Sequence, residues 1–225
     1  MILVGNPCTG KSFFLKSYFY HRVQPLTDNR LIICYAQYQE IYEDMKAAAI
    51  RLNPKCEVSL CQGIPTQLLD MFIPDVHKTC IIIDDLELQA LQSNSVFQIF
   101  TAGRHLKVEC FLKLHNIFPS SGKYRRDVLL NAHYLVLFRL RETSQVQLFA
   151  RRNFGDSSDF LVSAYEDSVL DCDGYGSLFL DLLPSSSTAH LLSVRTRIFS
   201  SIEPPLIYVR EKDLERYKKR KQQEQ

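Results

Sequence analysis

The stretch "VGNPCTGKSFF", residues 4–14, constrains this chain more than any other. It holds Gly5-x-x-x-x-Gly10-Lys11-Ser12, the full P-loop spacing. Backbone N–H groups of such a turn, set at a helix N-terminus, cradle phosphates with help from the helix dipole. The turn needs a strand before it and a helix after it. Ile2-Leu3-Val4 is apolar, and Ser12 to Phe19 runs on without Gly or Pro. Phosphate contact is therefore expected from Gly5, Asn6, Pro7, Cys8, Thr9, Gly10, Lys11, Ser12 and Phe13. Lys11 is expected to reach the β- and γ-phosphates of ATP, and Ser12 to offer its hydroxyl to Mg2+.

Strand and helix signals alternate along the rest of the chain. Thr27 to Arg30 reads as a loop, "LIICYA" (31–36) as a buried strand, and 38–52 as a helix stopped by Asn53-Pro54. A short strand at 57–60 and a short helix over "PTQLLDMF" follow. "TCIIIDDLEL" (79–88) reads as a buried strand ending in carboxylates, "SVFQIFTAGRHL" as a helix and "VECFLKLHNIF" (108–118) as a strand. "YRRDVLLNA" then gives a helix and "HYLVLFRL" (133–140) a fifth strand. Past 140 come helices near 144–153 and 157–169, and strands in "YGSLFLDLL" (175–183) and "HLLSVRTRIF". The loop "LPSSSTAH" lies between those strands, Pro204-Pro205 closes the domain, and "LIYV" makes an edge strand. This order predicts an α/β fold, a mainly parallel sheet with helices on both faces. Residues 1–209 form the expected domain and 210–225 a basic polar tail.

A P-loop ATPase needs acids near the phosphates, and "CIIIDDLE" supplies them. Asp84, at the C-terminal end of a buried strand, is expected to hold Mg2+ together with Ser12. Asp85 is expected to orient and polarise the attacking water. Glu87 reads as a solvated residue. A polar group at the tip of the neighbouring strand would sense the γ-phosphate, and His115-Asn116 stands there. Asn116 suits the task because an amide donates and accepts without titrating; His115 can do the same or simply pack.

Composition narrows the setting. A 46% hydrophobic content supports a sizeable core, and a net charge of +2 gives the body of the chain no basic bias toward nucleic acid. Seven cysteines, an odd number without a C-x-x-C pair, point to a reducing, intracellular compartment. Cys56-x4-Cys61 is a weak basis for zinc. No apolar run is long enough for a membrane helix and no signal-peptide pattern opens the chain, so a soluble protein needing no membrane is expected. The tail from Arg210 to Gln225 sets seven Lys/Arg against four acids. It reads as a solvated helix end, or else as a DNA contact or a nuclear-import patch at "KKRK".

Several motifs together resemble a known family. The P-loop and "IIIDD" are followed by Gly103-Arg104-His105, His115-Asn116-Ile117-Phe118-Pro119, Asn131-Ala132-His133-Tyr134 and Tyr175-Gly176-Ser177-Leu178-Phe179-Leu180-Asp181. In this order they resemble the genome-packaging ATPases of double-stranded DNA viruses in the FtsK–HerA superfamily. The nearest likeness is to those of Polinton (Maverick) elements and adintoviruses, with a distant one to the poxvirus packaging ATPase. It covers residues 1 to about 209. Two departures stand out: the family's sensor Gln is His115 here, and the chain opens at Met1-Ile2-Leu3-Val4 where the family usually carries a further segment.

The resemblance implies a three-layer αβα sandwich of the ASCE or RecA-like P-loop type, with extra C-terminal strands. It implies an ATP- and Mg2+-dependent translocase that packages double-stranded DNA, working as a homo-oligomeric ring beside capsid or portal-vertex proteins. The setting would be intracellular, in host nucleus or cytoplasm, or in association with virions. A ring motor needs an arginine finger against transition-state charge. By position Arg141 is the first choice, with Arg104 and Arg151 behind it. The alternatives are a host-captured or degenerate nucleotide-binding module with a structural or regulatory role, and a small-molecule kinase, for which no lid or acceptor set is visible.

Overall fold

The structure, a computed structural model, describes residues 1–21, 28–72, 78–103, 105–170, 175–183, 193–199 and 204–223; the side chains of 28, 29, 220, 221 and 223 are not included. Arg104, Cys172 and most of "LPSSSTAH" fall outside the described residues. The chain divides into two compact units, Met1–Leu3 with Gly10–Ala132, and Val4–Thr9 with His133–Gln225.

The first unit holds the strand order β3-β2-β4-β5-β1. Its strands are β1 (Ile2–Val4, of which Ile2 and Leu3 belong here), β2 (Asp28–Tyr35), β3 (Glu57–Gln62), β4 (Lys78–Asp84) and β5 (Val108–Leu114). The β2–β3, β2–β4 and β4–β5 pairs are parallel. Parallel neighbours require crossovers, and the helices supply them. These are α1 (Lys11–His21), α2 (Ile41–Leu52), α3 (Glu87–Gln92), α4 (Asn94–Ala102) and α5 (Arg125–Leu130), with a 3-10 turn at Leu68–Met71. Ile81, Ile82 and Ile83 on β4 are fully buried, which is why the run is continuously apolar rather than alternating. Ser93 starts α4 by accepting the Val96 N–H on its hydroxyl at 3.3 Å.

The two faces of β5 show how the sheet is covered. Glu109, Phe111 and Lys113 share one face by the period of two, and Cys110, Leu112 and Leu114 share the other. The first face meets α1: Tyr18 donates to Glu109 at 2.7 Å and sets its ring 4.9 Å from that of Phe111. The second face is buried as well, and α3 and α4 pack on this strand. α2 lies beside α1, tied by Lys16 and Asp44 at 2.7 Å.

In the second unit the order is β1-β6-β7-β8-β9, with Val4 as the part of β1 that belongs to it. β6 (Tyr134–Leu137), β7 (Leu178–Asp181), β8 (Val194–Thr196) and β9 (Leu206–Ile207) pair antiparallel. α6 (Thr143–Phe154) and α7 (Ser158–Leu170) pack on each other, and α7 packs on β7. α8 (Glu211–Gln223) covers the basic tail, and Arg210 ahead of it pairs with Asp213 and reaches Ser157 Oγ at 3.2 Å.

The fold class is as expected, a mixed α/β fold with a mostly parallel sheet. Several boundaries differ. β2 begins at Asp28, inside the expected loop, because Asp28 pairs with Lys78 before a register shift. The strand expected over 79–88 stops at Asp84: Asp85 takes a left-handed φ of 54° and Glu87 already opens α3. The 108–118 strand ends at Leu114, ahead of His115-Asn116. Other later strands also shorten, to Tyr134–Leu137, Leu178–Asp181 and Leu206–Ile207; in "HLLSVRTRIF" residues 190–192 lie outside the described residues, and Val194–Thr196 is strand. No helix among the described residues is long and apolar enough to cross a membrane.

Tyr165 is fully buried in the second unit, where its hydroxyl accepts the Leu140 N–H at 2.9 Å and donates to the Phe138 carbonyl at 3.2 Å. Phe in its place removes both bonds and leaves a buried N–H unmatched. Tyr165→Phe should lower stability by about 1–3 kcal/mol in urea unfolding.

Candidate nucleotide site

In the first unit, α1 starts at Lys11, whose side chain is buried, and Ser12 follows on the same turn. Gly10 enters that turn at φ 96°, a left-handed conformation that glycine adopts without strain. Across the sheet, Tyr35 pairs with Asp84, and Ile83 with Leu112, so Asp84 and Lys113 follow on neighbouring strands at their C-terminal ends. Ligand sites of open parallel sheets form at this end.

One cluster joins these elements. The Lys113 ammonium donates to Ser12 Oγ at 2.8 Å and is ion-paired with Asp84 Oδ1, which takes no hydrogen bond besides. The other Asp84 oxygen, Oδ2, accepts from the Tyr42 hydroxyl at 2.9 Å. The side chains of Lys113 and Asp84 are 4% and 1% exposed, so two opposite charges are buried together. Burial, and after it the adjacent Asp84 carboxylate, push the Tyr42 phenol above its ordinary range. Tyr42 therefore stays a neutral donor. Its ring also packs 5.4 Å from that of Tyr35.

Asp85 lies one residue on and is exposed. Its left-handed backbone, which aspartate tolerates better than most residues, turns it out of the strand's alternation. Its carboxylate stands 3.4 Å from Gln39 Nε2 and 4.0 Å from His115 Nε2. Asn116 is exposed just beyond. Glu87 is not the solvated residue expected from sequence. Its carboxylate accepts the His115 backbone N–H at 2.7 Å, holding the tip of β5 to the start of α3.

The rest of the P-loop belongs to the second unit. Val4 accepts the Phe138 N–H at 2.8 Å, Asn6 N–H donates to the Arg139 carbonyl at 3.1 Å, and Thr9 Oγ1 donates to the Asn6 carbonyl at 2.8 Å. A Cβ on Gly5 would come within 2.6 Å of Phe138 Cβ, so this position admits no side chain. Pro7 and Cys8 are exposed, and Cys8 has a φ of 60°. Phe13, in the first unit, is 65% exposed. Arg141 and Arg151 are exposed residues of the second unit.

The structure thus brings Ser12 and Asp84 to one point, around the Lys113 ammonium. Mg2+ would need the oxygens that Lys113 and Tyr42 already engage, so the donor set as arranged does not fit the ion. No group of three or more His, Cys, Asp or Glu that could hold a metal occurs among the described residues, and Cys56 and Cys61 form no such site. Lys113 and Tyr42 were missed from sequence. A lysine set between Leu112 and Leu114 in a buried strand was the available signal, because lysine is almost never buried unless paired. Tyr42, within an ordinary helical run, carried none.

Among solved structures, the genome packaging NTPase B204 of Sulfolobus turreted icosahedral virus 2 is similar to this chain. Its complex with AMPPCP matches at a TM-score of 0.57 and 15% identity, covering 87% of this chain and 94% of that one. The ATP-gammaS complex gives 0.54 at 13% identity with the same coverage. The AMP complex gives 0.53 at 16%, covering 80% of this chain and 91% of that one. At such identities the likeness concerns the fold: this chain has the mixed α/β, mostly parallel fold of P-loop packaging NTPases. No family model and no curated protein matches the sequence.

Because Tyr42 serves a buried carboxylate, Tyr42→Phe should cost about 1.5–3 kcal/mol of stability in denaturant unfolding.

Proposed function

We propose that this chain is an ATP-hydrolysing motor that moves double-stranded DNA and packages a viral or transposon genome into a capsid. The observation that carries the reading is the complete Gly5–Ser12 phosphate loop on a fold similar, over 87% of the chain, to a genome packaging NTPase. One of the similar structures is described as a DNA-packaging ATPase, and others hold ATP-gammaS or AMPPCP. The sequence motifs narrow this to the FtsK–HerA superfamily and its Polinton and adintovirus branch.

The residues divide the work by their chemistry. Backbone N–H groups from Gly5 to Phe13 receive the phosphates, and Lys11 neutralises the β- and γ-phosphate charge. Asp85, exposed and turned out of the strand end, orients the attacking water, and Asn116 at the neighbouring tip senses the γ-phosphate. Arg141 of an adjacent subunit in a homo-oligomeric ring supplies the finger. DNA is gripped through its phosphates without base readout, and the exposed Lys218 and Lys219 of the 210–225 tail add positive charge to the ATPase domain of 1–209. Capsid or portal-vertex proteins are the remaining partners. The setting is intracellular, in nucleus or cytoplasm, or at the virion.

A second reading has a specific observation behind it. Ser12 and Asp84 hold Lys113, an arrangement that suits a nucleotide-binding module with a structural or regulatory role. ATP turnover with and without duplex DNA separates the two. Turnover stimulated by DNA supports the motor; binding without turnover supports the module.

Lys11→Ala should remove binding of a fluorescent ATP analogue, because phosphate charge loses its partner. Asp85→Asn should keep binding and lose at least about 100-fold in turnover. Unchanged affinity in Lys11→Ala would sink the phosphate-loop assignment.

For the finger, inactive Arg141→Ala subunits should regain part of their activity when mixed with Lys11→Ala subunits. Some interfaces then pair an intact loop with an intact arginine. A strictly monomeric protein with full DNA-stimulated turnover contradicts the ring.

A further inference from the structure

We propose that Lys113 is a built-in cation that takes the place of a divalent metal at Ser12 and Asp84, so that the chain binds nucleoside triphosphate without a metal ion. The proposal rests on the nucleotide reading given above. A hydroxyl from the phosphate loop and a carboxylate from the neighbouring strand end are the oxygens that would serve Mg2+. Here both face one ammonium, at 2.8 Å from Ser12 Oγ and in direct ion pairing with Asp84 Oδ1. Tyr42 takes the second carboxylate oxygen at 2.9 Å. Every side-chain oxygen of the expected metal set is engaged.

The placement follows from the strand. Lys113 shares the face of β5 that carries Glu109 and Phe111, the face on which α1 lies, and Ser12 is on the first turn of α1. The ammonium is thus delivered to the phosphate-loop serine by the same alternation that docks Tyr18. Mg2+ can enter only by driving the ammonium from its carboxylate, and a buried charge stripped of its partner is costly.

The consequence lies in the charge that a polyphosphate meets. In a metal-dependent site emptied of metal, the bare carboxylate repels the incoming phosphates. Here Lys113 offsets Asp84, so the pair is neutral and that repulsion is absent. A purely structural ion pair would leave nucleotide binding dependent on metal.

Two titrations of the full chain test this. In the first, a fluorescent ATP analogue is added in EDTA and in Mg2+. Wild-type affinities should agree within about threefold, whereas Lys113→Met, with its carboxylate bare, should lose at least about tenfold on removal of the metal. In the second, Mn2+ is added to the nucleotide-free protein and followed by water-proton relaxation. Wild type should bind no Mn2+ at this site, Lys113→Met should gain binding, and Asp84→Asn in that background should lose it again.

Wild-type affinity that falls tenfold or more in EDTA overturns the proposal, and so does wild-type Mn2+ binding that Asp84→Asn abolishes. Both use protein that retains Lys113, so they hold even where Lys113→Met does not fold. Failure of the nucleotide reading looks different: no binding of the analogue in either buffer, which removes the metal-free binding with it.

Discussion

A lysine and an aspartate buried against each other organise the first unit. Neither charge is tolerated alone in that position, since removing one partner of a buried pair costs about 3–5 kcal/mol. The pair therefore fixes what surrounds it. It sets β4 and β5 side by side at their tips, holds the first turn of α1 to the sheet through Ser12, and recruits the Tyr42 hydroxyl from α2. Four elements meet at two charges. The start of the helix that follows the phosphate loop is positioned by electrostatics as well as by the apolar packing of Phe14, Leu15 and Phe19.

Much of this was legible in the sequence, and the reason differs from element to element. The loop was legible because its pattern sets glycine where φ is positive or where space is lacking, and Gly10 and Gly5 stand at those two places in turn. The strands "LIICYA" and "CIIID" were legible because a sheet buried on both faces accepts almost nothing but apolar residues. Their ends were not. Nothing in "IIIDDLEL" announces that Asp85 turns left-handed, and nothing in "KLHNIF" shows that the ladder stops at Leu114. In both places apolar residues continue past the strand because the next helix or turn also needs burial, as Ile117 illustrates at 1% exposure.

The site was half legible for a related reason. Asp84 and Ser12 stand out in the sequence because the motif specifies the chemistry of each alone. Lys113 does not, because the motif is silent about what lies between them. Glu87 shows the same gap: its spacing suggested a solvated acid, and it instead receives a backbone N–H from the neighbouring strand's end. Motif reasoning locates groups by identity. Long-range partnership, over a separation of 101 residues for Lys113 and Ser12, appears only when the sheet order is known.

The Glu87 contact has a mechanical side. A charged acceptor on a backbone donor is among the stronger hydrogen bonds in a protein. This one joins the helix that begins just after Asp85 to the residue that precedes Asn116. Sliding of one strand tip past the other would have to break it. The contact therefore resists separate movement of the two segments that carry the exposed acid and the exposed amide.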